Sequence, residues 1–169
     1  AQMINRIKYA KNINKIIICT STNIQDDPLE KIAKNEKIGC FRGSEDDVLL
    51  RLLDAAKKFK INSFANMSAD VPMIDPLIID KAVCEYNIIN PDLLIPEKNS
   101  FGGCSIVKVL TLEKVCRTKK EKDTEIWLKF FESYKDIYIH TLKIENESKH
   151  PFFKTSLDYF EDYMFIKKI

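Results

Sequence analysis

The sequence predicts an α/β protein in which a mostly parallel sheet is covered by helices on both faces. Two observations in the first half support this prediction: fully apolar runs of strand length recur, and segments with helical periodicity alternate with them. Right-handed crossovers join strands that alternate with helices, and they make neighbouring strands parallel. The second half is less regular, so we expect a mixed α+β extension there. No linker divides the 169 residues, and we expect a single domain.

In the first half, local signals mark where the elements begin. Pro28 suits the first position of a helix, and Ser44 with Asp47 has the spacing of a capping box. Behind that box, apolar residues recur on one helical face as far as Phe59. We therefore expect helices at 3–12, 28–36, 44–59 and 76–86, and strands at 15–20 (KIIICT), 37–41 (KIGCF) and 61–67 (INSFANM).

The second half contains shorter apolar runs and several aromatic segments. Strands are expected at 92–95 (DLLI), 104–110 (CSIVKVL), 137–144 (IYIHTLKI) and 152–157 (FFKTSL). Helices are expected at 112–117 (LEKVCR), 124–134 (TEIWLKFFESY) and 158–169 (DYFEDYMFIKKI).

Composition excludes several classes of protein. The net charge is +2 with both signs mixed along the chain, so no basic stripe for nucleic acid is present. The longest apolar run is too short to span a membrane. Five cysteines without a C-x-x-C pair indicate reduced, mostly buried thiols. We expect a cytoplasmic protein with no nucleic-acid or membrane partner.

Two aspartates follow predicted strands directly. In open α/β sheets ligands bind beyond the carboxyl ends of the strands, where Asp70 (after 61–67) and Asp158 (after 152–157) are expected. If the two carboxylates converge, they form a Mg²⁺ site, because this ion takes one or two carboxylates together with water and phosphate oxygens. The alternative is structural: either aspartate can form a turn, and Asp158 can cap the helix that follows it.

Other candidates have weaker support. His140 and His150 have no evident partner for a triad or a zinc site, and Gly102 with Gly103 precedes a strand, which indicates a turn. No G-x-x-x-x-G-K-[ST] or G-x-G-x-x-G motif occurs. Arg51 lies on the helix after Ser44 and can equally be a solvated side chain. The residues alone thus lead only to a cytosolic α/β domain with a candidate site for Mg²⁺ and phosphate.

A series of motifs gives a more specific expectation. The segments CTSTN (19–23), FRGSEDDVLLR (41–51), ADVPMIDP (69–76) and TSLDYFEDYMFIKKI (155–169) occur in this order along nearly the whole chain. Together they resemble the cytidylyltransferase family that activates sugars for surface polysaccharides. Its members include acylneuraminate cytidylyltransferases, CMP-Kdo synthetases and the SpsF-like spore-coat proteins, and the SpsF-like branch fits best.

The resemblance implies a Rossmann-like nucleotidyltransferase sheet related to the GT-A glycosyltransferases. It also implies a Mg²⁺-dependent reaction of CTP with a sugar, which yields a CMP-sugar and pyrophosphate. By position, Asp70 and Asp158 match the catalytic metal-binding aspartates, and Asn66, Ser68 and Arg51 match nucleotide- or sugar-binding positions. Family members usually form homodimers, and segments 104–110 and 124–131 are the expected pairing surface.

Two departures from the family pattern favour an alternative function. The chain contains no Q-A-R-x-x-S-x-R-L-P-x-K segment, which supplies a central strand and grips the triphosphate in the family, and Ala69 replaces a glycine. The segment can be absent from the sequence, lost in a degenerate paralogue, or supplied by another chain. The alternative is therefore a catalytically impaired or non-catalytic relative that binds nucleotide or sugar, or acts as a scaffold.

Overall fold

The computed structural model describes residues 2–98, 102–144, 154 and 156–168, and helices alternate with strands as far as residue 96. The helices are α1 (Gln2–Ile7), α2 (Asp27–Asn35), α3 (Val48–Phe59), α4 (Pro76–Ile89), α5 (Val109–Thr118), α6 (Leu128–Glu132) and α7 (Phe160–Ile166). The strands are β1 (Ile17–Ser21), β2 (Gly39–Gly43), β3 (Ser63–Asn66), β4 (Leu93–Pro96), β5 (Ser105–Lys108) and β6 (Ile139–Leu142).

The described strands form two sheets. Strands β1 and β2 are parallel, with Ile17 opposite Gly39 and Ser21 opposite Gly43. The second sheet has the order β3-β5-β4-β6, in which β5 is antiparallel to both neighbours and β4 is parallel to β6. Strands β3, β4 and β6 therefore run in one direction, and β5 alone is reversed. The predicted α/β class is confirmed, with β5 as the exception to parallel pairing.

Two apolar clusters cover opposite faces of the second sheet. On one face, helices α1 and α4 pack against Leu94 and Ile106. On the other, α3, α5 and α6 pack against Leu93 and Val107. Successive residues of a strand point to opposite faces, which is why neighbours in β4 and β5 belong to different clusters. The sheet is thus the middle layer between two layers of helices.

Helix α3 packs against both sheets. It contacts β1 and β2, while its buried Leu49 and Leu53 belong to the cluster that also includes Phe64 of β3. Within the described residues β1 and β3 each have one hydrogen-bonded neighbour, and the two strands do not pair with each other. The central strand that the family resemblance implies stays a prediction.

Tertiary contacts change the ends of two helices in the first half. Helix α1 ends at Ile7 rather than residue 12, because Asp80 accepts the N–H groups of Lys11 at 2.9 Å and Asn12 at 2.7 Å. These bonds hold the chain outside helical geometry. Helix α3 is capped by Asp47, which accepts from the N–H of Leu50. Oγ of Ser44 does accept the N–H of Asp47 at 3.0 Å, as the predicted box requires, but the helix itself begins at Val48 with Asp47 as its cap.

Two predicted elements of the second half are shorter than expected. Strand β5 ends at Lys108, and Val109 begins α5. Helix α6 is confined to Leu128–Glu132, because the buried hydroxyl of Thr124 accepts from the N–H of Leu49 at 2.9 Å and holds that segment against α3. Half of the predicted strand at 152–157 lies outside the described residues, and its described residues, Lys154, Ser156 and Leu157, are not in a strand.

The pairing surface expected at 104–110 and 124–131 stays a prediction, and only part of these segments is accessible: Leu110 and Ile126 are exposed. Both edges of β5 are bonded to neighbouring strands, and Phe130 and Phe131 are buried in the core. Trp127 packs edge-on against Phe131, with ring centroids 5.7 Å apart. These aromatic side chains are therefore core residues, which leaves this strand edge and these two phenylalanines unable to pair with a second copy.

Candidate functional site

The loop after β3 carries three of the predicted site residues. Asn66 is the last residue of β3 and lies opposite Ser105 of β5. A turn follows, in which the N–H of Val71 donates to the carbonyl of Ser68 at 3.2 Å. Asp70 is exposed within this turn, as the structural alternative predicts. The loop thus presents a carboxylate at the carboxyl end of a strand.

Contacts from elsewhere in the chain fix the remainder of this loop. The N–H of Asp75 donates to the carbonyl of Gly102 at 3.1 Å, and the Nε of Arg6 donates to the carbonyl of Ile74 at 2.6 Å. Gly102 has a φ of +70°, and a Cβ there would lie 2.6 Å from the nitrogen of Asp75. A glycine is therefore required at this turn.

A backbone hydrogen bond brings the second aspartate to the same place. The N–H of Leu157 donates to the carbonyl of Asp70 at 2.8 Å, so Asp158 follows directly after a residue bonded to Asp70. Asp158 is also exposed. The structure therefore brings together the two segments that carry the candidate metal ligands.

The carboxylate of Asp158 is held by its own neighbours in sequence. Its Oδ2 accepts from the hydroxyl of Ser156 at 2.8 Å and lies 3.1 Å from the ammonium of Lys154. These two contacts lower the pKa of Asp158, so the group is ionised at neutral pH. The predicted capping role is wrong for Asp158: Asp162 accepts the N–H groups of Asp158 and Tyr159 at the start of α7.

The donor groups of this site fit a hard divalent ion. Within the described residues no group of three or more His, Cys, Asp or Glu side chains could hold a metal ion. A site with two carboxylates suits Mg²⁺, which completes its shell with water and phosphate oxygens, and does not suit structural Zn²⁺. The described part of the chain directs no hydrogen bond at the carboxylate of Asp70, so its oxygens remain available for an ion.

Arg51 lies against the loop between β2 and α3. Its Nη1 donates to the carbonyls of Ser44 at 2.6 Å and Glu45 at 3.0 Å. Its Nε is buried and has no acceptor within the described residues, which is a costly arrangement for a charged group. No hydrogen bond or ion pair among those residues joins Arg51 to the Asp70 loop.

Comparison with known proteins identifies the family. The family model described as cytidylyltransferase matches residues 1–169. The chain belongs to the cytidylyltransferase family. A solved cytidylyltransferase from Leptospira borgpetersenii serovar Hardjo-bovis (strain JB197) has the same fold, with a TM-score of 0.86 and 27% identity over 98% of this chain and 72% of that one.

Two curated relatives are also similar to this chain. The spore coat polysaccharide biosynthesis protein SpsF of Bacillus subtilis (strain 168) is 24% identical over 95% of this chain and 69% of its own length. The uncharacterized protein MJ1063 of Methanocaldococcus jannaschii is 30% identical over 71% of this chain. The aligned part is half the length of MJ1063.

A second arginine, Arg42, fixes the loop after β1, a role that sequence reasoning did not assign to it. Arg42 donates from Nε to the carbonyl of Ser21 at 3.0 Å and from Nη2 to that of Asn23 at 2.6 Å. Its Nη1 lies 2.6 Å from Asp27 and 3.2 Å from Glu30, and these carboxylates raise its pKa. Two negative charges thus compensate Arg42, which fixes the loop after β1. Its place in the F-R-G-S motif, downstream of adjacent aspartates, was the available signal.

Asp26 completes the same loop. Its Oδ2 accepts from the hydroxyls of Thr20 at 2.7 Å and Ser21 at 2.6 Å, and from the N–H of Ser21 at 3.1 Å. The hydroxyl of Ser21, then that of Thr20, lowers the pKa of Asp26. Thr20 and Ser21 are buried, and their hydroxyls have an acceptor in the loop.

The structure describes one of the two histidines. His140 does have a partner, because its Nε2 lies 2.5 Å from the Oε1 of Glu85 on α4; His150 lies outside the described residues. That contact is an ion pair or hydrogen bond between β6 and α4, and no third metal ligand accompanies it in the part of the chain that the structure describes.

No helix in the described ranges is long and apolar enough to cross a membrane.

Proposed function

We propose that this chain transfers a cytidylyl group from CTP to a sugar, with release of pyrophosphate, for the synthesis of a surface polysaccharide or glycoconjugate. The single observation that supports this activity most directly is the hydrogen bond from Leu157 to Asp70, which brings two candidate metal-binding aspartates together. The similarity to SpsF, named for spore coat polysaccharide biosynthesis, supports a sugar substrate.

In this proposal Asp70 and Asp158 hold Mg²⁺, which when bound neutralises charge on the triphosphate. The sugar hydroxyl attacks the α-phosphorus of CTP, forms the new P–O bond, and pyrophosphate leaves in line. In the same proposal Asn66, at the end of β3, and Ser68, in the turn after it, orient the nucleotide and the sugar. Positioning and charge neutralisation account for most of the rate in such a reaction.

Arg51 has a separate proposed role. Its buried Nε has no acceptor within the described residues, and a bound nucleotide can supply one. Arg42, in contrast, is compensated by Asp27 and Glu30 and contributes little attraction for phosphate. The family's triphosphate loop has no counterpart in residues 1–169, and we propose that polypeptide outside these residues supplies it.

The test is pyrophosphate release by the polypeptide of the complete reading frame. It is incubated with CTP, Mg²⁺ and a panel of acidic, amino and neutral sugars. We expect release with at least one sugar and a loss of about 100-fold or more in Asp70→Asn, since removing one group that stabilises transition-state charge costs about this much. Asp54→Asn, which removes an exposed carboxylate on α3, is the matched control and should retain full activity.

No release with any sugar would contradict the proposed reaction. Full activity of Asp70→Asn in a folded protein would contradict the metal assignment instead. Removal of Mg²⁺ with a chelator should abolish release, and readdition should restore it.

A non-catalytic role is the second candidate, and Ala69 is the observation that favours it. Ala69 stands where the family has glycine, and its φ is not positive, so the turn itself does not need a glycine. The remaining effect of the added methyl group is to crowd an approaching phosphate. Calorimetry distinguishes the candidates: binding of CTP with Mg²⁺ but without turnover would support the binding role.

We also propose a cytoplasmic location and a homodimer. All five cysteines are free thiols, as expected in a reducing compartment, although only Cys104 is buried. Analytical ultracentrifugation of the pure protein tests the homodimer, and a single species of monomer mass would contradict it.

A further inference from the structure

One lysine joins the two carboxylates at the start of α7. The ammonium of Lys154 lies 3.1 Å from Oδ2 of Asp158 and 2.5 Å from Oδ2 of Asp162. The hydroxyl of Ser156 donates to the same Oδ2 of Asp158 at 2.8 Å. Two contacts therefore hold one oxygen of Asp158, while its Oδ1 has no partner within the described residues.

The backbone around Asp158 is fixed by the other carboxylate. Oδ2 of Asp162 accepts the N–H of Asp158 at 3.0 Å and the N–H of Tyr159 at 2.9 Å. Lys154 also lies over the ring of Tyr159, 4.7 Å from its centroid. Backbone and side chain of Asp158 are thus both restrained, although the residue is exposed to solvent.

We propose that Lys154 is a positioning residue for Asp158: together with Ser156 it holds the carboxylate by Oδ2 and leaves Oδ1 as the oxygen that binds the divalent ion. This inference rests on the proposed metal-binding role of Asp158. An exposed carboxylate otherwise rotates freely and loses that freedom when it binds an ion. Partners that orient a ligand in advance remove this cost and strengthen the site.

The charge of Lys154 has two opposing effects. Its ammonium reduces the repulsion between the carboxylates of Asp158 and Asp162, which favours the observed arrangement. It also repels an approaching cation, but the side chains of Lys154 and Asp158 are 44% and 47% exposed, so solvent screens that repulsion. We therefore expect the orienting effect to be the larger one, so that removal of Lys154 weakens the site.

Binding of Mn²⁺ alone, followed by electron paramagnetic resonance of the free ion, tests this without any turnover. We expect Lys154→Met to weaken Mn²⁺ binding about tenfold, as is usual when a partner of a metal ligand is lost. Lys154→Arg, which keeps the charge and can bridge both carboxylates, should bind like the wild type. Lys129→Met removes a lysine from another exposed ion pair, with Glu121 at 3.0 Å, and should also bind normally.

Two outcomes would overturn the inference: unchanged Mn²⁺ binding in Lys154→Met, or no Mn²⁺ binding by the wild type. Ser156→Ala removes the other contact to Oδ2 and provides a second test if Lys154→Met fails to fold. Failure of the proposed reaction is a different result, in which Mn²⁺ binding depends on Lys154 but no pyrophosphate is released with any sugar. If Lys154 positions Asp158 and the proposed reaction also takes place, Lys154→Met should lower kcat and leave KM for the sugar unchanged.

Discussion

The ammonium of Lys119 contacts the carboxylate of Asp47 in the interior of the protein, where these side chains are only 7% and 10% exposed. Asp47 also caps α3 through the N–H of Leu50 and accepts from the hydroxyl of Thr124 at 3.1 Å. This cluster ties the first turn of α3, in the first half of the chain, to a segment of the second half.

Loss of the lysine should be strongly destabilising. Lys119→Met leaves the carboxylate of Asp47 buried without its counter-charge, and we expect the free energy of unfolding to fall by about 3 kcal/mol. Urea denaturation measures this change. Lys129→Met, in an exposed ion pair, should change it by less than about 0.5 kcal/mol. Equal effects of the two substitutions would show that burial does not matter at Lys119.

The contribution of Asp47 should depend on pH. Burial alone raises the pKa of Asp47, but the hydrogen bonds from Lys119, Leu50 and Thr124 outweigh it, and the pKa is lowered overall. The stabilisation is therefore fully present when the pH is above the pKa of an aspartate in the unfolded chain, about 3.9. It is lost as the pH falls through the pKa of Asp47 in the folded protein. The stability difference between wild type and Asp47→Asn should shrink below about pH 4. Denaturation curves between about pH 3 and 7 test this, and a constant difference would contradict it.

Gly102→Ala should damage the Asp70 loop from a distance. The new Cβ would lie 2.6 Å from the nitrogen of Asp75, and the alanine would have to keep a φ of +70°. The backbone must therefore move, and the hydrogen bond from the N–H of Asp75 to the carbonyl of residue 102 must lengthen. We expect a loss of about 2 kcal/mol in stability, because strain and a lost hydrogen bond act together. Thermal denaturation and Mn²⁺ binding measure the two effects. Unchanged values for both would show that the loop tolerates the methyl group.

Arg42→Lys should loosen the loop after β1 although charge is conserved. A lysine ammonium cannot reproduce the planar set of bonds to the carbonyls of Ser21 and Asn23 and to Asp27. We expect a loss of about 1–2 kcal/mol and faster amide hydrogen exchange in residues 22–27. Hydrogen exchange measured by mass spectrometry checks this. Unchanged protection of the amides in residues 22–27 would contradict the conclusion that Arg42 fixes the loop.

The cysteines should differ in reactivity. Burial raises the pKa of Cys104 to about 12, and that of Cys19 and Cys116 to about 11, so these thiols carry almost no thiolate at neutral pH. Cys84 is exposed. In the native protein we expect a thiol reagent to modify Cys84 first and Cys104 only after unfolding. Labelled peptides identify the order, and early labelling of Cys104 would contradict its burial.

The sequence predicted the features that depend on local patterns. Pro28 marks the start of α2, and the position of Asp70 after an apolar run places it at the end of β3. The reversed direction of β5 could not be predicted in this way, because an apolar run carries no information about strand direction. The short α6 and the cap at Asp47 depend on Thr124, whose contacts with α3 are distant in sequence.

For the candidate site, sequence spacing identified the aspartates but not what holds them. Lys154 and Asp162 stand four residues before and after Asp158, a spacing that becomes informative only when the start of α7 is known. The bond from Leu157 to Asp70 joins segments that no local pattern relates. The metal-binding, nucleotide-binding and sugar-binding assignments remain predictions.

The bond between Leu157 and Asp70 also has a consequence for biosynthesis. A ribosome makes Asp70 well before the middle of these 169 residues and Asp158 almost at their end, while the described residues of both apolar clusters all precede residue 145. Helix α7 adds no buried residue to them. A nascent chain can therefore contain every described residue of the core and still lack half of the candidate metal site. Premature termination after Ile144 would keep those core residues and remove Asp158.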